Sequence, residues 1–206
     1  ILGGVSGQVG NVIGGTWKGI DYLRIKPSSV ANPKTPDQVD QRTKFVTVLR
    51  FLQPITEFLR TGFKKYASGM TQFNSAMSYN LNNAITGTYP NYSVDYPNAL
   101  VSRGNLAGGV NGAAASTNPA EVDLSWDDNS GSGGAQATDK ALIVILNPTK
   151  GEAVYTTAGA ARSATAETLN VPSNFTGDDV EVFLGFISED GTKVSNSYYL
   201  GSVTVA

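Results

Sequence analysis

Residues 140–147, Lys140-Ala141-Leu142-Ile143-Val144-Ile145-Leu146-Asn147, read as a β-strand closed by the turn pair Asn147-Pro148. Working outward from it, strands are expected over 121–127, 153–157, 165–171, 179–188 and 193–205. Turn signals separate them at 129–134, 147–148, 172–177 and 190–191. Upstream, a period of two begins after residue 88, with Tyr89, Tyr92, Val94 and Tyr96 leading into 99–102. Residues 104–118 are rich in Gly, Ala and Asn and read as a loop.

Seven short strands at this spacing, with Trp126 in the second, resemble an immunoglobulin or fibronectin type III sandwich. The chain has no cysteine, so the variant without a disulfide is the better analogue. Before the strands comes a helical segment. Thr35-Pro36-Asp37-Gln38 offers an N-cap threonine, a proline at the first helical position and a glutamine at the third, a capping box. Val39, Phe45, Val46, Leu49 and Leu52 follow at helical spacing until Pro54. A second helix should run to about residue 67, and a third from about 71 to 86, where Gly87 stops it.

The first 34 residues are punctuated by glycine. Residues 8–26 read as a hairpin turning at Gly14-Gly15, with Ile20, Tyr22 and Arg24 on one face and Asp21, Leu23 and Ile25 on the other. Strands so poor in side chain specify register weakly and are candidates for pairing with another chain. The expected class is α+β, an N-terminal β-hairpin and two or three helices followed by a seven-stranded Ig/fibronectin III-like β-sandwich. The expected domains are 1–34, a Gly-rich hairpin arm and linker; 35–90, a helical segment; and 91–206, the sandwich.

The chain has 206 residues with neither cysteine nor histidine. Imidazole and thiolate chemistry are therefore closed to its own side chains, as are His- or Cys-built metal sites. No other constellation replaces them. Gly4, Gly7 and Gly10 lack the spacing of a dinucleotide or phosphate loop. Asp127-Asp128-Asn129-Ser130-Gly131 resembles part of a calcium loop but lacks the distal glutamate. Asp178-Asp179 and Glu189-Asp190 are adjacent pairs that a strand would send to opposite faces. No cofactor and no metal are expected, and the chain reads as not an enzyme. Asn91-Tyr92-Ser93 and Asn174-Phe175-Thr176 match a glycosylation sequon that any chain carries by chance. No stretch approaches the length of a membrane span.

The net charge of −2 conceals an asymmetry. Residues 1–66 carry ten Lys/Arg against four Asp/Glu, a balance of +6, and residues 67–206 carry five against thirteen, −8. The basic residues are spread over a hairpin and two helices with no nucleic-acid motif, so nucleic acid is not an expected partner. The split can equally reflect attraction between opposite ends of two copies or simply two solvated domains with unrelated surfaces.

The opening Ile1-Leu2-Gly3-Gly4 with Ser6-Gly7-Gln8-Val9-Gly10, Gly14 and Trp17-Lys18-Gly19 resembles the start of an uncharacterised family of Bacteroidota proteins of about this length. Thr35-Pro36, Gln38, Gln41-Arg42, Lys44-Phe45, Phe73-Asn74 and Gly87-Thr88-Tyr89-Pro90 continue the resemblance. So do Trp126, Asp128-Asn129-Ser130-Gly131, Thr156-Thr157-Ala158-Gly159-Ala160, Arg162-Ser163 and Val194-Ser195-Asn196-Ser197. The resemblance implies a fold but brings no activity and no catalytic residues. It also implies a short N-terminal piece ahead of Ile1.

The expectation is a non-enzymatic structural protein that self-assembles head-to-tail through its arm into a surface filament or phage-like assembly, at the cell surface or outside the cell. The interface would use Val5, Val9, Val12, Ile13, Trp17, Ile20 and Tyr22. The alternative is an Ig-like module binding carbohydrate or protein, with Tyr89, Tyr92, Tyr96, Tyr198 and Tyr199 as stacking surfaces.

Overall fold

A computed structural model describes residues 6–29 and 34–206. Two compact units divide the chain, residues 1–39 and residues 40–206.

In the first unit lies a three-stranded antiparallel sheet of β1 (Gly7–Val9), β2 (Val12–Trp17) and β3 (Ile20–Ile25). The expected turn at Gly14-Gly15 is not there. Those glycines lie mid-strand in β2, opposite Leu23 and Tyr22. The chain instead reverses at Lys18-Gly19, both with positive φ (48° and 81°), as a tight hairpin with right-handed strand twist requires. A second reversal at Gly10-Asn11 adds β1. The Tyr22 ring lies across Gly15, where a Cβ would stand 3.0 Å from the phenol oxygen and the exposed ring would have to give by a few tenths of an ångström.

The second unit is α+β. Helix α1 (Pro36–Leu52) starts as expected, with Gln38 N–H donating to Thr35 Oγ1 at 3.4 Å. Pro54 ends it in one 3₁₀ turn before α2 (Thr56–Gly62). The second helix stops at Gly62 rather than near residue 67, and a 3₁₀ turn at Lys64–Tyr66 follows. Helix α3 (Gln72–Asn83) is capped by Thr71, whose Oγ1 accepts from Asn74 N–H at 3.1 Å. It ends sooner than expected because Ile85 enters a two-stranded hairpin, β4 (Ile85–Thr88) with β5 (Asn91–Val94).

Two antiparallel sheets follow. One has the order β6-β7-β10, from β6 (Ala113–Ala115), β7 (Glu121–Ser125) and β10 (Ala166–Asn170). The other has the order β12-β11-β8-β9, from β8 (Lys140–Asn147), β9 (Glu152–Thr156), β11 (Asp179–Ile187) and β12 (Tyr198–Thr204). The first sandwich strand was expected within 89–102. It is β6, inside the presumed loop, where three alanines gain a strand by pairing with β7 despite poor intrinsic preference.

Period two explains how the layers stack. Ala141, Ile143 and Ile145 of β8, with Val182, Leu184 and Phe186 of β11, join Val122, Leu124 and Trp126 in the core between the sheets. Leu142, Val144, Leu146 and Phe183 point the other way and pack on Val48, Phe51, Leu52, Ile55, Phe58 and Leu59 of the helices. The β12-β11-β8-β9 sheet is thus buried on both faces, by the smaller sheet and by helices. The boundary expected at residue 90 falls inside this shared core, because neither the helices nor the sheet covers its apolar face alone.

Candidate self-association surface

The register of the arm sorts the expected interface residues onto two faces. Trp17 pairs with Ile20, Gly15 with Tyr22 and Ile13 with Arg24, so Ile13, Trp17, Ile20 and Tyr22 share one face. Val9 pairs with Val12, and Val12 with Ile25, so Val9 and Val12 occupy the opposite face with Leu23 and Ile25. Leu23 and Ile25, which alternate in β3, fall on this face and were not among the expected interface residues. Val5 lies outside the described residues.

Both faces are apolar and both are exposed. Ile25 is 77% accessible, Val9 72%, Ile20 69%, Leu23 64% and Trp17 54%. Gly14 is the only buried position among the described arm residues. A three-stranded sheet ordinarily gains stability by covering one face, and exposed apolar surface on this scale marks interaction sites. Among the described residues, the outer edge of β3 also has no strand beside it in its sheet.

The other candidate residues are engaged within the second unit. Asp127 Oδ2 accepts from Asn111 at 2.7 Å, Asn129 Oδ1 accepts from Arg162 at 2.6 Å, and Asp128 Oδ1 accepts from Ser130 N–H at 3.0 Å. The oxygens suggestive of a calcium loop thus brace the loop itself. Among the described residues no group of three acidic side chains is placed to hold a metal ion. Asp178 Oδ2 accepts from Asn147 and Lys150, which hold its carboxyl below the usual range, while Asp179 accepts from Thr204 at 2.5 Å.

Of the five tyrosines considered as stacking surfaces, Tyr89 and Tyr198 are exposed, at 54% and 50%. Tyr92 is half-buried and donates its hydroxyl to Asp40, beside Lys44. Tyr96 and Tyr199 are half-buried too, with ring centroids 6.1 Å apart beside Phe183, and Tyr199 donates to Glu181. They are core aromatics. Alternation alone could not separate the two groups, since the covering helices come from another part of the chain.

Among the described residues no helix is long and apolar enough to cross a membrane. The facing antiparallel sheets, ordered β6-β7-β10 and β9-β8-β11-β12, define a β-sandwich with a helical layer on the larger sheet. The chain belongs to the family of unknown function DUF6266, which matches residues 4–201. No curated protein matches it. Among solved structures it is similar to the fn3 domain of human collagen alpha-1(XX) chain, at 14% identity and a TM-score of 0.38, over 50% of this chain and 87% of that one.

Proposed function

We propose that the protein is a non-enzymatic structural module that associates with further copies of itself through the N-terminal arm. The observation that carries this reading is the arm sheet with apolar side chains exposed on both faces, Ile13, Trp17, Ile20 and Tyr22 on one and Val9, Val12, Leu23 and Ile25 on the other. The partner is a second copy, and the contact is head-to-tail. The basic N-terminal third meets the acidic remainder of a neighbour, which steers the encounter, while apolar side chains and the open edge of β3 supply the contact. A contact between different surfaces of identical chains does not close on itself, so it propagates into a ring or filament.

Analytical ultracentrifugation of the intact chain over a concentration series tests this. Concentration-dependent assembly is expected, lost on deleting residues 1–26 or in an Ile20→Lys/Leu23→Lys variant that charges both faces. An intact chain that stays monomeric at high concentration overturns the proposal, as does a deletion variant that assembles equally well.

A further inference from the structure

The segment 100–104 runs between the helical layer and the loop before β12 and is fixed at every residue. The side chain of Asn80, buried in α3, brackets Leu100, donating to its carbonyl at 2.9 Å and accepting from its N–H at 3.0 Å. Val101 N–H donates to Ser197 Oγ at 2.9 Å, and Ser102 Oγ donates to the Ser195 carbonyl at 3.0 Å. Arg103 N–H donates to the Gly62 carbonyl and Gly104 N–H to Asn196 Oδ1. Gly62 permits the approach, for a Cβ there would lie 2.5 Å from the Val101 carbonyl oxygen.

This rigid backbone presents the Arg103 guanidinium to two aromatic rings, 4.4 Å from the centroid of Tyr66 and 5.0 Å from that of Tyr79. Stacking orients a guanidinium while leaving the N–H groups along its edge available. No carboxylate or carbonyl accepts from them among the described residues. Contrast the other arginine set into the fold, Arg162, which is saturated by oxygen partners. Arg103 opens instead on a cavity of about 410 Å³, within the size range of small-molecule sites (about 300–1,000 Å³). No Asp or Glu occurs in residues 58–94 or 96–120, which supply the whole lining, while Arg60, Lys64 and Lys65 do.

From this geometry we infer that the cavity binds a carboxylate carried on a small hydroxylated molecule, the chemistry of a hexuronate sugar. The carboxylate pairs with the planar fork of Arg103. Asn82 and Asn83 donate to the carbonyls of Ser78 and Tyr79, which leaves both amide oxygens to accept from hydroxyl groups. The carbonyl end of α3 beside them repels an anion in proportion to its charge, so a monoanionic carboxylate paired with Arg103 is tolerated better than a phosphate dianion. The inference concerns the second unit alone and is independent of self-association.

Amide spectra of the full-length ¹⁵N-labelled chain carrying Ile20→Lys and Leu23→Lys, changes outside the cavity that keep it unassembled, test it by titration with glucuronate, glucose or inorganic phosphate at constant ionic strength. Glucuronate should shift Gly62, Tyr66, Tyr79 and Arg103 saturably, and the two other compounds should not. Arg103→Gln should abolish the response. Arg103→Lys keeps the charge but lacks the fork, and should weaken binding by at least about tenfold. The inference is overturned by an absent glucuronate response, by glucose or phosphate binding as tightly, or by a folded Arg103→Lys variant that binds like the parent.

Discussion

Asp139 Oδ2 accepts from both Nε and Nη2 of Arg162 at 3.2 Å, in an ion pair whose side chains are 1% and 0% exposed. Nη1 donates to the Gly108 carbonyl and Asn129 Oδ1, Nη2 also to the Ala107 carbonyl, and the guanidinium lies 3.8 Å from the Phe186 ring centroid. Trp126 Nε1 closes the cluster by donating to the Arg162 carbonyl at 2.8 Å. Burial pulls the Arg162 pKa down and Asp139 opposes the pull. One side chain therefore ties two loops to the sandwich core.

Arg162→Met strands the Asp139 carboxylate in a dry site, and should cost about 3–5 kcal/mol in urea unfolding. Adding Asp139→Asn to it should cost less than the sum of the single changes, because the pair acts as a unit. Purely additive costs would show that the two groups are not coupled.

The shared core predicts one unfolding transition for residues 40–206. Far-ultraviolet dichroism follows the helices, and in a Trp17→Phe background the fluorescence of Trp126 follows the sandwich, so the two curves should coincide. Phe183→Ala, which removes a ring packed at 6.1 Å from Phe51, should shift both together by about 3–5 kcal/mol. Separated transitions would refute a common core.

Hydrogen bonds set the acid limit. Asp190 accepts from the Ser188 hydroxyl and from the backbone and side chain of Thr192, which hold its pKa at about 2. Its stabilising contribution is present above the unfolded value of about 4 and is lost as pH falls towards 2. Asp40, held down chiefly by Lys44 and then Tyr92, acts in the same direction. Asp190→Asn should flatten the stability profile in that window. At the alkaline end, burial and then Glu181 push Tyr96 up to about 12, so stability should fall above pH about 10, where the unfolded phenol ionises. Tyr96→Phe should reduce that fall.

Gly104 is the tightest backbone approach among the described glycines, since a Cβ there would lie 1.8 Å from the Val194 carbonyl oxygen. Gly104→Ala must displace backbone, and a loss of about 1–3 kcal/mol is expected on denaturant titration. A neutral result would mean that segment 100–104 is less firmly fixed than its hydrogen bonds require.

Local chemistry made much of this fold legible. Thr35 and Thr71 cap their helices through hydroxyls that the sequence displays, and the apolar alternation of residues 140–147 marks β8. Partner-dependent features were hidden. Gly14-Gly15 looked like a turn because nothing local shows that Lys18-Gly19 takes the left-handed conformation. Ala113–Ala115 is a strand only because β7 lies beside it. Arg162 and Arg103 sit in sequence like ordinary surface cations. Their settings are assembled from loops and helices distant in the chain, one by saturating the guanidinium and the other by stacking it.

A sheet covered on both faces also orders events in time. On a ribosome, residues 40–83 emerge before the strands and can coil into helices while the chain is still short. The strands that cover their apolar side, Lys140–Asn147 and Asp179–Ile187, are synthesised roughly a hundred residues later. The nascent helices therefore hold a greasy face open for most of synthesis, and the second unit can close only when the last strands leave the tunnel.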